Sequence, residues 1–153
     1  MRRSAGIALW RRGADGVEVL LGHMGGPFWP RKDDGAWSFP KGEHGPDEEP
    51  VDVARREFEE ETGSPAPPDL VPLGELRVTS GKVLALWAAE GDLDAGACVS
   101  NTFELEWPPR SGRFQEFPEV DRSAWFGAAE ARAKLVTGQV PFLDRLLEQV
   151  AAR

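Results

Sequence analysis

Residues 42–63 read GEHGPDEEPVDVARREFEEETG, and the fold turns on how this stretch is organised. Its second half has helix character from Pro50 to Thr62. Asp47 offers an N-cap, Pro50 suits the first turn, and Gly63 suits the C-terminal cap. Val51, Ala54 and Phe58 recur at helical spacing and supply an apolar stripe. Pro65, Pro67 and Pro68 then forbid continuation. Steps of three or four residues return to nearly the same helix face, so Glu57, Glu60 and Glu61 converge there. Taken alone, the run Glu59-Glu60-Glu61 reads first as a solvated acidic face. Like charges so placed weaken a helix, and the cluster also makes sense where divalent cations neutralise it. Hard oxygen donors of this kind suit Mg²⁺ or Mn²⁺.

Working outward, Ala5 to Arg11 and Val17 to His23 are apolar runs joined by Arg12-Gly13-Ala14-Asp15-Gly16, which predicts a β-hairpin. A Gly/Pro-rich loop from Gly25 to Gly35 follows, then a short strand, Ala36 to Phe39, leading to Pro40-Lys41-Gly42. Downstream, Val71 to Val78 and Lys82 to Glu90 read as strands around a turn at Ser80-Gly81. Thr102 to Trp107 is a further candidate strand, followed by a loop from Pro108 to Arg113. Ala124 to Phe126 reads as buried. Helical stretches are expected at Ala128 to Val136 and at Phe142 to Val150, the latter after Pro141. Strands on both sides of a central helix, with helices at the end, predict an α/β layered fold. The 153 residues suit one domain, 1–153.

With 41% hydrophobic and 29% charged residues, the chain can bury a core and keep a well-charged surface. Apolar stretches such as Val83 to Ala89 are far shorter than the roughly 18 residues of a membrane span. Arg2 and Arg3 precede only Ala5 to Trp10 before charge returns, so a signal peptide is not expected. Cys98 stands alone, which excludes an internal disulfide framework and fits a reducing cytoplasm. A formal charge of −8 argues against generic binding to duplex nucleic acid. An anionic substrate can still be held where local cations or metal ions reverse the field. Six Trp and no Tyr are present, and Trp10, Trp37, Trp87 and Trp125 are expected inside or half inside. Trp29 and Trp107 flank Arg-bearing loops and are candidates for stacking on a base. His23 and His44 have no spacing that suggests a zinc site and receive no catalytic role.

Five residues separate Gly42 from Glu48 and seven separate Glu48 from Arg56; Arg56-Glu57-Phe58 then leads through Glu60-Glu61 to Gly63. This pattern resembles the signature box of the Nudix hydrolases at every fixed position. Ser64 is the one departure, standing where the family normally has an aliphatic residue. The resemblance implies an α/β/α sandwich with a mixed sheet between helices. It also implies Mg²⁺-dependent hydrolysis (Mn²⁺ being an alternative) of a nucleoside diphosphate linked to another moiety. By that carry-over Glu57, Glu60 and Glu61 bind metal, with a backbone carbonyl at Lys41 or Gly42. Arg56 would pair with and orient the carboxylates, and Glu48 would support the junction between loop and helix or the metal ligands from behind.

A general base is implied too. Glu119 is the first candidate and Glu116 the second, because Gln115-Glu116-Phe117-Pro118-Glu119 precedes Trp125-Phe126; Glu57 competes with both. Trp37-Ser-Phe-Pro-Lys-Gly42 is similar to the strand entry of dinucleoside polyphosphate and diphosphoinositol polyphosphate hydrolases. Lys41 would then neutralise an extra phosphate. Arg31, Lys32, Lys82, Arg110 and Arg113 are further cations that could draw phosphates, and Trp107 and Arg31 are carried as substrate-binding candidates. The expected partner is a phosphorylated small-molecule nucleotide, foremost a dinucleoside polyphosphate. A nucleoside triphosphate or an ADP-ribose-type substrate stays open. So do a nucleotide-sensing module that hydrolyses nothing and a homodimer.

Overall fold

Strand β1 (Arg2–Gly13) alternates between two apolar surfaces, and the whole architecture follows from that alternation. In the computed structural model, which describes residues 1–152, Ala5, Ile7 and Leu9 point to one side of the sheet. There they meet Val53, Ala54 and Phe58 of helix α1 (Pro50–Thr62). Ala8 and Trp10 point to the other side, against Ala131 of α2 (Ala128–Lys134) and Phe142, Leu143 and Leu146 of α3 (Val140–Ala151). Strand β2 (Gly16–Met24) repeats the pattern, with Leu20 on the first side and Val19 and Leu21 on the second. The described residues thus form an α/β/α sandwich.

The sheet is mixed and seven-stranded among the described residues, with the path β3-β2-β1-β6-β5; β4 is added to β1, and β9 to β2. Its remaining strands are β3 (Trp37–Ser38), β4 (Lys41–His44), β5 (Val71–Thr79), β6 (Lys82–Glu90) and β9 (Val120–Gly127). Only β1 and β6 run parallel in these pairings. Strands β7 (Thr102–Glu106) and β8 (Phe114–Pro118) form a separate antiparallel ribbon. One edge of β1 is divided. Trp10 to Gly13 pair with β2, whereas Arg3 to Gly6 pair with β4. Close approach explains Gly6 here, since a Cβ would strike the Pro40 carbonyl and the Lys41 side chain. Gly22 and Met24 of β2 and Lys41 of β4 line one cavity, and the candidate site lies beside it.

Several local expectations need correction. Asp47 does not cap α1: Glu49 occupies the N-cap position, with extended backbone and no side-chain hydrogen bond. Pro50 has no N–H to satisfy, so this start has one fewer orphan donor. Val53, rather than half-buried Val51, joins Ala54 and Phe58 in the core. Helix α2 ends at Lys134, and Leu135 instead bridges to Trp37. Of Ala124 to Phe126, expected buried, Phe126 is buried while Ala124 and Trp125 are half-buried, all within β9. Trp10 and Trp37 are buried and Trp87 and Trp125 half-buried, as expected. No helix among the described residues is long and apolar enough to cross a membrane.

Candidate active site

Helix α1 stops at Gly63, whose left-handed backbone (φ 80°) lets its N–H reach the Glu59 carbonyl at 2.8 Å. Beyond the stop, the Ser64 N–H donates to the Thr62 hydroxyl at 3.1 Å. A polar tie thus stands where an aliphatic contact was expected. Two carbonyls of the last turn find partners in the chain before β7: Asn101 N–H donates to Glu60 O (2.8 Å) and Val99 N–H to Thr62 O (3.2 Å).

The carboxylates of α1 are turned toward β4. Glu61 is 8% exposed and accepts the Lys41 N–H at 3.1 Å. Glu57 lies so close to Gly42 that a Cβ there would overlap its carboxyl carbon and both oxygens. That contact gives the physical reason for glycine at position 42. Arg56 donates to Glu48 at 3.1 Å and stands 3.9 Å from both Glu57 and Glu60. Glu48 also accepts the Gly45 N–H at 2.9 Å, which pins the loop to the helix.

Burial pushes the Glu61 carboxyl well above its usual range; Glu57 and Glu119 reinforce the shift, and the Lys41 ammonium opposes it. Burial also raises Glu57, with Glu60 adding to it, and Arg56 and Lys41 pulling the other way. Glu119 is exposed, yet its carboxyl is raised, first by partial desolvation and then by Glu60, against the pull of Lys41. Neighbouring carboxylates thus act on Glu57, Glu61 and Glu119 alike. Among the described residues no three of them close into a ready ligand set, as like charges turn instead toward Arg56 and the Lys41 N–H. Glutamates packed against a glycine that admits no side chain are nevertheless suited to a small hard cation.

A cavity of about 500 Å³ adjoins this wall. Lys41, Lys82, Glu61 and Glu119 line it together with Met24, Phe103 and Val120. Of the candidates, Lys41, Glu57, Glu60, Glu61, Arg56 and Glu119 are brought together, and Lys82 joins them. Glu116 faces outward on β8. Arg31 is exposed and does not line the cavity. Trp107 packs edge-on against Phe28, with ring centroids 5.3 Å apart, also outside the cavity. Trp29 is packed against the core, with Lys32 over its ring at 5.1 Å. Phe103 is the aromatic that reaches the cavity. Alternation of Phe103, Leu105 and Trp107 is the signal that could have found it, since it sets these residues on one face of the ribbon.

A NUDIX domain family model matches residues 1–146. No curated protein matches the chain. Among solved structures, the fold is similar to that of the C. elegans Ap4A hydrolase in a binary complex. Identity is 20%, coverage 98% of this chain and 99% of that chain, and the TM-score 0.67. It is similar also to the NUDIX domain of Shewanella oneidensis NrtR complexed with ADP ribose (17%; 97% and 87%; 0.66). The MutT protein from Methanosarcina mazei Go1 is a third neighbour (16%; 97% and 94%; 0.64). At these identities the three likenesses concern the fold, whereas the family model spans nearly the whole chain over the box that carries the glutamates. The chain belongs to the Nudix family, whose hydrolases split phosphoric anhydride bonds and generally use divalent metal ions.

Proposed function

We propose that residues 1–153 act as one pyrophosphohydrolase domain whose substrate is a dinucleoside polyphosphate and whose cation is Mg²⁺. The observation that carries this reading is the mixed lining of the cavity. Lys41 and Lys82 provide positive charge beside Glu61 and Glu119, while Met24, Phe103 and Val120 provide an apolar wall. Its volume of about 500 Å³ is that of a site for a small-molecule ligand. Phosphates would lie at the lysines, and a base would lie against Phe103, where aromatic contact is tolerant of base identity. A lone Cys98 suits a reducing cytoplasm.

Glu57, Glu60 and Glu61, with a backbone carbonyl at Lys41 or Gly42, would hold the cation. When bound, it would neutralise charge on the bridging and leaving oxygens and make water a better nucleophile. The chain's own residues supply the rest. Arg56 steadies the glutamates, with Glu48 fixing its guanidinium. Glu119 receives a proton from the attacking water; partial desolvation raises its basicity for that task. Lys41 orients the phosphate chain by its charge.

The test is phosphate release from a panel of diadenosine tetraphosphate, nucleoside triphosphates and ADP-ribose, with and without Mg²⁺. Greatest kcat/KM on the tetraphosphate, abolished by chelation, is expected. Preference for ADP-ribose or a triphosphate would overturn the substrate. No Mg²⁺-dependent release from any of them would overturn the reading as a whole.

A further inference from the structure

Among the described residues Glu119 has no hydrogen-bonded side-chain partner to aim it, so its direction depends on its backbone. That backbone is held on both sides. Its N–H donates to the Asn101 carbonyl at 2.9 Å, and its carbonyl accepts the Gly25 N–H at 3.0 Å. Ser100 completes the first of these ties. Its hydroxyl donates to the same Asn101 carbonyl at 2.8 Å and accepts the Val120 N–H at 3.0 Å. Both hydrogen-bonding capacities of the hydroxyl are thus used, one on each side of the 101–119 contact. The Asn101 peptide is anchored in turn, because its N–H donates to Glu60 O on α1 at 2.8 Å. A continuous path runs from the helix that carries Glu57, Glu60 and Glu61 through residues 100–101 to the backbone of Glu119.

We propose that Ser100 is a positioning residue that fixes the Glu119 carboxylate relative to the glutamates of α1. The inference rests on the reading of Glu119 as the group that takes the proton from water. Two elements far apart in sequence must deliver carboxylates to one cavity, and small displacements of a reacting group lower rates strongly. Without the hydroxyl, the Val120 N–H loses its acceptor and the Asn101 carbonyl loses one of its two donors. The 119–120 segment can then drift while α1 stays in place. Substrate contacts at Lys41 and Lys82 do not involve this path, whereas Val120 borders both it and the cavity, so turnover suffers more than binding.

Ser100→Ala, Ser100→Thr and Glu119→Gln in the full chain test this by two readouts. Amide hydrogen exchange at residues 119 and 120 is expected to quicken about tenfold in Ser100→Ala, with α1 amides unchanged. On the nucleotide that the wild type turns over best, kcat is expected to fall about five- to tenfold with KM changed less. Ser100→Thr, which keeps the hydroxyl, should restore both. Unchanged exchange at 119 and 120 in Ser100→Ala, or a Ser100→Thr variant no better than Ser100→Ala, overturns the positioning role. Glu119→Gln with undiminished kcat overturns the reading of Glu119 instead, and with it the kinetic purpose of the strap.

Discussion

Glu61 places a carboxylate where the protein would gain stability by protonating it. Its folded-state pKa lies above the unfolded value because burial disfavours the anion. Stability from protonated Glu61 is therefore fully present below the unfolded pKa and is lost as pH rises through the folded one. Where Glu61 is ionised, the charge is a cost that function explains. Glu61→Gln removes the charge, keeps the shape, and leaves an oxygen to accept the Lys41 N–H. We predict that it raises Tm at pH 8 while turnover falls a hundredfold or more, roughly 3 kcal/mol of transition-state stabilisation. Thermal scans and initial rates on one preparation check both halves; near-normal Mg²⁺-dependent turnover would remove Glu61 from the reaction. Lys41→Met bears on the substrate. Coulomb attraction grows with each phosphate, so use of a dinucleoside tetraphosphate should fall more than use of ADP-ribose. The expected differential is about 1–2 kcal/mol in relative kcat/KM. Equal losses on the two substrates would make Lys41 structural.

Helix α1 was legible because its stop and its apolar spacing are local. Its cap yields a direct prediction: Gly63 has φ 80°, and Gly63→Ala should lower stability by about 1 kcal/mol, measured by denaturant titration. Strands β1, β2, β5 and β6 were legible for a similar reason, as runs of apolar residues bounded by turns. Strand β4, Lys-Gly-Glu-His, carries no apolar alternation and owes its existence to the free half of the β1 edge. Nothing local could announce it, although it holds the glycine of the box. The ribbon was only half visible because its strands do not enter the sheet. Phe114 is 62% exposed, and the register of Phe103 with Phe117 is a long-range fact. The carboxylate wall was readable from helical spacing plus the family resemblance. Of the Phe103 wall only the alternation was readable, since its arrival at the cavity depends on where the ribbon folds back. We predict that Phe103→Ala raises KM for a nucleotide several-fold, about 1–3 kcal/mol at most, with kcat changed less. An unaltered KM would take the base away from that wall.

The charges of the whole molecule pull stability in opposite directions with pH. Glu57, Glu61 and Glu119, all raised, favour folding at acid pH. Exposed Glu43 and Glu48 are lowered by hydrogen bonds from Arg2 and from the Gly45 N–H with Arg56. Their contribution is present above the unfolded pKa and is lost as pH falls through the folded one. A divalent cation that binds the folded site should offset the first group's repulsion. Millimolar Mg²⁺ is therefore expected to raise Tm more at pH 8 than at pH 5, where protons compete. An equal rise at both pH values would place the cation elsewhere. The divided edge of β1 has a consequence for how activity is lost on heating. The same strand pairs with β4, which carries Lys41 and Gly42, and with the core strands β2 and β6. Lys41 and Gly42 are held by pairing with the central strand, so inactivation and melting are expected to trace one curve, with no temperature at which the chain stays folded but idle.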